Sequence, residues 1–317
     1  MNDGTPDVSI IIPVCNEALG LEDLRTAILD ILQASGYSYE IIFVDDGSDD
    51  LTWDTLWRFG QSSEVIKAIR FSRNFGKEAA ITAGLQKARG RAAIIMDADL
   101  QHPPELLRDM ISLWAREGFA VVEGVKTARQ NEPLWNTFGS LFFYKILGAL
   151  TGFDLRRDTD YKLLDRKVIN LYLSLQEKGK FFRALIPFLG YRTGKVPFVP
   201  DVRKSGKSKF RFFKLMNLAV TAVTSFSARP LHIVTLIGIM TFIFSFFLGA
   251  HTLYTKIAGK AVEGFTTVIL LILIIGSILM MALGIIGEYI AGIFDEVKKR
   301  PLFVVDKQIN IKDPAVE

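Results

Sequence analysis

One cysteine, Cys15, stands in 317 residues, so an internal disulfide is excluded. The three histidines, His102, His232 and His251, are too far apart in sequence to suggest a His/Cys zinc site, and any bound metal is expected on oxygen ligands. Charge of one sign is barely in excess. Lys and Arg number 38 against 34 Asp and Glu, and the resulting +4 does not describe a nucleic-acid binder, although the charge is unevenly placed. The opening MNDGTPDVSIIIPV has no basic stretch leading into an apolar run and a small-residue cleavage site. No secretory signal is read there, and the N-terminal part is expected to stay on the side where it is made. Internal repeats and low-complexity tracts are also missing.

What the chain does have is apolar residues, at 50%, with only 23% charged. The excess gathers near the C-terminal end, where Pro230 to Thr255 and Gly264 to Gly287 contain no Asp, Glu, Lys or Arg. Each run is long enough for a helix across a hydrocarbon core of about 30 Å. Two transmembrane helices, about 231–255 and 265–288, joined by the short connector Lys256 to Glu263, are therefore expected as a hairpin within 230–292. Arg203, Lys204, Lys207, Lys209, Arg211, Lys214 and Arg229 precede it and Lys298, Lys299 and Arg300 follow, whereas the connector holds only Lys256 and Lys260. The positive-inside rule then places both termini in the cytoplasm, as an integral protein of the plasma (inner) membrane.

Residues 1–209 make one further domain, in which short β-rich runs alternate with helix-length segments. Val8 to Val14, Tyr39 to Asp45, Val65 to Phe71, Ala92 to Met96 and Phe119 to Val125 read as strands, apolar on both faces. Such strands belong to a mostly parallel sheet covered on both sides. Leu21 to Ala34, Thr52 to Gln61, Lys77 to Ala88 and Pro104 to Glu117 carry helical spacing, the last opening on Pro103-Pro104. The fold class is α/β, doubly wound. Residues 210–229 form an amphipathic juxtamembrane segment, and the tail, 293–317, reads as a short, partly ordered extension.

In such sheets ligands bind beyond the carboxyl ends of the strands. The second strand ends in Asp45-Asp46-Gly47-Ser48 and the fourth in Asp97-Ala98-Asp99-Leu100-Gln101. Alternation along a strand puts Asp97 and Asp99 on one face, where two carboxylates repel unless a cation lies between them. Mg²⁺ or Mn²⁺, completing its shell with substrate phosphates, suits that pair, and a diphosphate ligand is implied. The alternative is that Asp46 and Asp99 only cap the helices that follow. Arg70, Arg73 and Lys77 crowd the start of a helix, which fits either a phosphate held there or a solvated basic turn. Cys15 has no histidine nearby to activate it and reads as a small, mostly buried residue. Arg203, Lys207 and Lys209, followed by Phe210, Phe212 and Phe213, suit a helix lying in the membrane interface. These cations bind an acceptor phosphate, or they only attract the anionic leaflet.

Six motifs occur in order: Ile11-Ile12-Pro13-Val14-Cys15-Asn16-Glu17, Asp45-Asp46-Gly47-Ser48, Arg73-Asn74-Phe75-Gly76-Lys77, Asp97-Ala98-Asp99-Leu100-Gln101, Asp160-Tyr161-Lys162-Leu163-Leu164 and Gly206-Lys207-Ser208-Lys209-Phe210. With the two apolar runs they resemble the family 2 glycosyltransferases of GT-A fold that load a sugar onto a polyisoprenyl phosphate, the group of dolichyl-phosphate mannose synthase and the bactoprenol glucosyl transferases. The resemblance implies transfer of glucose from UDP-glucose to an undecaprenyl-type phosphate with inversion, at the cytoplasmic membrane face, by a homo-oligomer. It implies that Pro13, Asn16, Glu17 and Asp46 hold the nucleoside, and that Arg73, Lys77, Asp97 and Gln101 complete the donor site. Asp97 and Asp99 would hold Mg²⁺ or Mn²⁺, and Asp160, or failing it Asp158, would be the catalytic carboxylate. Departures from the family pattern are Cys15 for Tyr, His102 for Asp, and Lys162 for Arg, and a lysine lacks arginine's bidentate fork for phosphate.

Because a phosphate monoester is already anionic near neutral pH, Asp160 is expected to position groups more than to take a proton; capping of a helix before Leu163-Leu164 is its other reading. Two rival functions carry weaker support. A processive polysaccharide synthase generally has more membrane helices and a Gln-x-x-Arg-Trp motif, and the sequence has neither. A membrane transporter or scaffold whose α/β domain only senses a nucleotide is the other, and two helices with no charged residue in the middle of either offer it no evident ion or substrate path.

Overall fold

The computed structural model describes residues 5–99, 103–126, 159–175, 177, 180–199, 229–258 and 264–311. They fall into two compact units. One unit takes the described residues up to 199 and again from 300; the other contains the two long C-terminal helices.

The first unit is built on an eight-stranded sheet, and its opening strands follow from composition. β1 (Val8–Val14), β2 (Tyr39–Asp45), β3 (Ile66–Phe71) and β4 (Ala92–Ile95) are parallel neighbours, with β1 between β2 and β4. Their β-branched side chains are buried on both faces, as in Ile10, Ile11 and Ile12 of β1. Between them run α1 (Leu21–Gln33), α2 (Thr52–Ser62) and α3 (Lys77–Lys87), and α4 (Leu106–Glu117) follows β4. The first, second and fourth bury a single stripe, such as Leu21, Leu24, Ile28 and Leu32 of α1. Helix α3 is buried along Ala79 to Leu85, and a β-carbon at Gly84 would collide with Ile11 of β1. The glycine sets how closely this helix approaches the sheet.

Strand order is β7-β5-β6-β4-β1-β2-β3-β8, where β5 is Val121–Lys126, β6 is Lys162–Asp165, β7 is Thr193–Phe198 and β8 is Val305–Ile309. The sheet is mixed but mostly parallel, with β6 and β8 running against their neighbours. The path from β1 moves one way to β2 and β3, then returns to lay β4 on the other side of β1. A crevice opens where the order reverses, at the carboxyl ends of β1 and β4. Two short helices, α5 (Arg166–Ser174) and α6 (Phe182–Phe188), join β6 to β7.

One expectation changes. The segment after Asp160 is a strand and not a helix, because Leu163 and Leu164 pair with Ile94 and Ala93 of β4. Helix capping falls instead to Asp165, whose carboxylate accepts from the Lys167 backbone N–H. The tail, expected to be partly ordered, is ordered at β8, which forms the sheet edge beside β3. Phe303 stacks on Phe71 with ring centroids 4.9 Å apart, Ile309 is buried, and the Asn310 amide donates to Gly60 O at 2.8 Å and Ile66 O at 2.9 Å.

In the second unit α7 (Arg229–Ile257) and α8 (Phe265–Val297) contain the described parts of the two apolar runs, and Leu236–Thr255 and Ile274–Phe294 are long and apolar enough to cross a membrane. Helix α8 runs past Glu288, where the apolar run was expected to end. Large apolar side chains such as Phe242 and Met280 are exposed along both helices.

Ending the chain at Arg300 removes β8 and bares the edge of β3. Loss of Ile309 burial alone is worth about 2 kcal/mol, so a lowered Tm and aggregation are expected, read by thermal unfolding in detergent against the full chain. An unchanged Tm would show that the edge strand adds nothing to the sheet.

Candidate active site

Four loops build the crevice, and hydrogen bonds between them fix its shape. After β1 the chain turns at Asn16, which takes a left-handed backbone (φ 58°) of the kind asparagine tolerates. Its N–H donates to Ser48 Oγ at 2.9 Å, and its Oδ1 accepts from the Asp49 N–H at 2.9 Å. The Glu17 N–H donates to Thr52 Oγ1 at 3.0 Å, so the loop after β1 is tied to the loop after β2. In that second loop Gly47 has φ 68°, and a β-carbon there would strike the backbone of Arg73 and Asn74. Only glycine meets both conditions.

Asp46 fastens the third loop. Its carboxylate accepts from the Phe75 N–H at 2.6 Å and from the Gly76 N–H at 2.9 Å, just before α3. Burial raises its pKa in spite of these bonds. Asp46 lines the crevice, and its bonds go to the loop ahead of α3 and not to α2, the helix that follows it in sequence. The fourth loop carries Asp97 and Asp99, and here the reason for their nearness changes. β4 stops at Ile95, and the two carboxylates share the crevice through the turn that follows, not through strand alternation.

Pro13, Cys15, Glu17, Asp46, Lys77, Asp97 and Asp99 line one open cleft. Cys15 is half-buried, and its thiol pKa is raised by burial and by the Asp46 carboxylate, which keeps it a thiol. The three basic residues ahead of α3 separate. Arg70 reaches Ser48 O at 3.0 Å and lies 3.6 Å from Asp45, and Arg73 lies over the Phe75 ring at 4.1 Å. Only Lys77 enters the cleft.

Lys77 is the centre of the charge arrangement. Its ammonium pairs with Asp97 and stands 2.5 Å from Asp160 Oδ2. Asp160, whose side chain is 5% exposed, also takes a fork from Arg183, with Nε at 2.7 Å and Nη2 at 2.8 Å. Burial would raise the Asp160 carboxyl, but the Arg183 hydrogen bonds and the Lys77 charge outweigh it and hold its pKa well below the carboxylate range. Burial would likewise lower Lys77, but Asp97 and Asp160 hold its pKa above the usual value. Held ionised in this way, Asp160 is a weak proton acceptor near neutral pH.

Sequence reasoning missed two members of this group. Arg183 lies at the start of α6, with nothing local to single it out, and Glu78 adjoins Lys77. Glu78 accepts from the Phe182 N–H at 3.0 Å and so anchors the helix that presents Arg183. Burial and the neighbouring Asp160 charge push its pKa up to about 7. Lys162, the departure from the family's Arg, is buried and pairs with Glu123 of β5 at 2.6 Å. Gln101, Asp158, Arg203, Lys207 and Lys209, with the juxtamembrane segment, lie outside the described residues.

The donor set fits a hard divalent cation in part from the protein and in part from a ligand. Asp97 and Asp99 offer oxygen on one cleft, and an ammonium of the chain already sits against Asp97. Among the described residues no group of three or more His, Cys, Asp or Glu could hold a metal, so phosphate oxygens and water would fill the shell.

A mostly parallel sheet with an acidic crevice at its switch point is the GT-A architecture of glycosyltransferases. The chain belongs to glycosyl transferase family 2, whose family model matches residues 9–171. It is 38% identical over 303 residues to the uncharacterized glycosyltransferase sll0501 of Synechocystis sp., covering 95% of each chain. It is 32% identical over 302 residues to the bactoprenol glucosyl transferase of Shigella phage SfII, covering 95% of this chain and 97% of that one. Among solved structures, mannosyl-3-phosphoglycerate synthase from Rubrobacter xylanophilus shares the fold, with TM-score 0.51, 17% identity, and coverage of 72% of this chain and 74% of that one. The protein is a glycosyltransferase.

Two outcomes follow from the charges. Asp160 has a folded pKa below its unfolded one, so its stabilisation is present above the unfolded value and lost only in acid; Asp160→Asn should lower kcat about a hundredfold, equally at about pH 6 and pH 8. A loss confined to the higher pH would restore a proton-accepting role. Glu78 has a folded pKa near 7 against 4.5 unfolded, so stability falls as pH rises through that interval. Glu78→Gln, which keeps the acceptor for Phe182, should remove that fall, on the order of 2 kcal/mol, as read from Tm at about pH 5 and pH 8.

Proposed function

We propose that the protein transfers a hexose, glucose from UDP-glucose, to an undecaprenyl-type phosphate at the cytoplasmic face of the membrane, with inversion at the anomeric carbon. The observation that carries this reading is the union, in one chain, of the Asp97–Lys77–Asp160 cleft with two helices whose apolar side chains are exposed along their length. A soluble sugar donor and an acceptor buried in lipid meet only if the catalytic domain is held at the bilayer surface. The bactoprenol glucosyl transferases, similar over nearly their whole length, support the same acceptor class.

The residues divide the work. Asp46 and the tied loops around Pro13 to Glu17 shape the nucleoside end of the cleft, and Lys77 faces the region of the diphosphate. Mg²⁺ or Mn²⁺ held by Asp97 and Asp99 would offset charge on the departing diphosphate. A phosphate acceptor has its second pKa at about 6 and attacks as an anion, so the reaction needs no protein base. The ionised Asp160 instead fixes Lys77 and Arg183, two cations aimed at a reaction in which every participant is anionic. Arg203, Lys207 and Lys209 belong to this reading as the cations that receive the acceptor's phosphate. A processive synthase is less well supported, since the sequence has no Gln-x-x-Arg-Trp motif.

The deciding experiment incubates the purified chain with labelled nucleotide sugars, undecaprenyl phosphate and Mg²⁺, and follows label into the organic extract. Label from UDP-glucose alone, lost in excess EDTA and reduced about a hundredfold in Asp99→Asn, is expected. Label that stays in water, or that builds into polymer, would refute the proposed acceptor.

A further inference from the structure

The contact that stands out is the one made by a cation already in place. Asp97, one of the two carboxylates assigned to the metal, gives an oxygen to the Lys77 ammonium. Asp97 is 30% exposed and lines the open cleft, whereas Asp160, on the other side of the same ammonium, is 5% exposed and clamped by Arg183. One of the two bonds of Lys77 therefore faces the entering ligands, and the other is fixed in the protein.

We infer that Lys77 is a resident cation that occupies Asp97 in the unliganded protein and is drawn off it by the donor's diphosphate, so that metal and nucleotide enter the cleft as a coupled pair. The inference rests on the reading of Asp97 and Asp99 as metal ligands. A divalent ion arriving alone meets an oxygen already taken and a positive charge beside it. A diphosphate arriving alone meets the negative charge of Asp97 and Asp99, against which Lys77 is the basic residue lining the cleft among the described residues. Arriving together, they add opposite charges. Lys77 then exchanges a carboxylate oxygen for a phosphate oxygen while keeping its bond to Asp160. Its four-carbon stem permits the swing without movement of α3, which is buried over most of its length. Lys77 acts here as a positioning residue, and its effect is a coupling between two ligands.

The test is Mn²⁺ binding to the full-length protein in detergent, followed through the electron paramagnetic resonance signal of free Mn²⁺, with and without UDP. In the wild type UDP should tighten Mn²⁺ binding about tenfold or more. Lys77→Met, which takes the ammonium off Asp97, should bind Mn²⁺ without UDP about tenfold tighter than the wild type and gain less when UDP is added. Arg183→Met removes an equal charge from Asp160 while leaving the Lys77–Asp97 pair in place, and should leave UDP-free Mn²⁺ affinity within about twofold. A folded Lys77→Met no tighter than the wild type overturns the inference, as does equal tightening in Arg183→Met, which would mean a general field effect. If Lys77→Met does not fold, wild-type Mn²⁺ affinity that is indifferent to UDP overturns it as well. Failure of the underlying metal assignment looks different: Asp97→Asn would then bind Mn²⁺ as the wild type does in the presence of UDP.

Discussion

The cleft depends on one buried carboxylate and the two cations that share it. Asp160 lies just before β6, Lys77 opens α3, and Arg183 begins α6, so a single charge cluster ties three separate pieces of chain into one wall. Placing Asp160 there is costly in isolation, since a buried carboxylate without partners would take up a proton. With a forked Arg and a Lys on its oxygens it stays ionised, and its surroundings are therefore ordered before any ligand arrives. That order serves a reaction among phosphates, because cations held in fixed positions need not be rearranged when charge shifts in the transition state.

A second polar cluster does purely structural work at the other end of the strands. Glu40, buried in β2, accepts from Ser9 Oγ at 2.6 Å, from Lys67 at 2.5 Å and from the Arg89 N–H at 2.6 Å. It ties β1, β2 and β3 to the loop before β4, far from the cleft by position along the strands. The comparison shows what separates the two. Both are satisfied networks, but Glu40 has no open face, whereas Lys77 is 37% exposed and presents its charge to the cleft.

Much of this was legible in the sequence, and the reason is periodicity. Strands β1 to β4 are apolar on both faces, and α1, α2 and α4 bury one stripe each, so local pattern reports them faithfully. It fails where a strand's reason for existing lies in a distant partner. β6 has a lysine at its start, which is tolerable only because Glu123 lies opposite in the register of β5. β7 contains Pro197, acceptable at a sheet edge, and β8 reads Val-Asp-Lys-Gln-Ile, polar enough to pass for a tail. The site divides the same way. Asp46, Asp97, Asp99 and Lys77 follow strands or open a helix and could be read locally. Arg183 and Glu78 matter through what folding brings beside them, and no spacing rule finds a pair separated by most of a domain.

The position of β8 sets a rule of parity. Between β7 and β8 the chain passes through both long helices and then rejoins the sheet it left. Whatever boundary those helices cross is therefore crossed an even number of times, independent of where basic residues lie. Order of manufacture follows as well. Chains fold from the N-terminus as they are synthesised, yet the edge of β3 waits unpaired until the residues after α8 emerge, so the catalytic sheet is completed only after both apolar helices have been made.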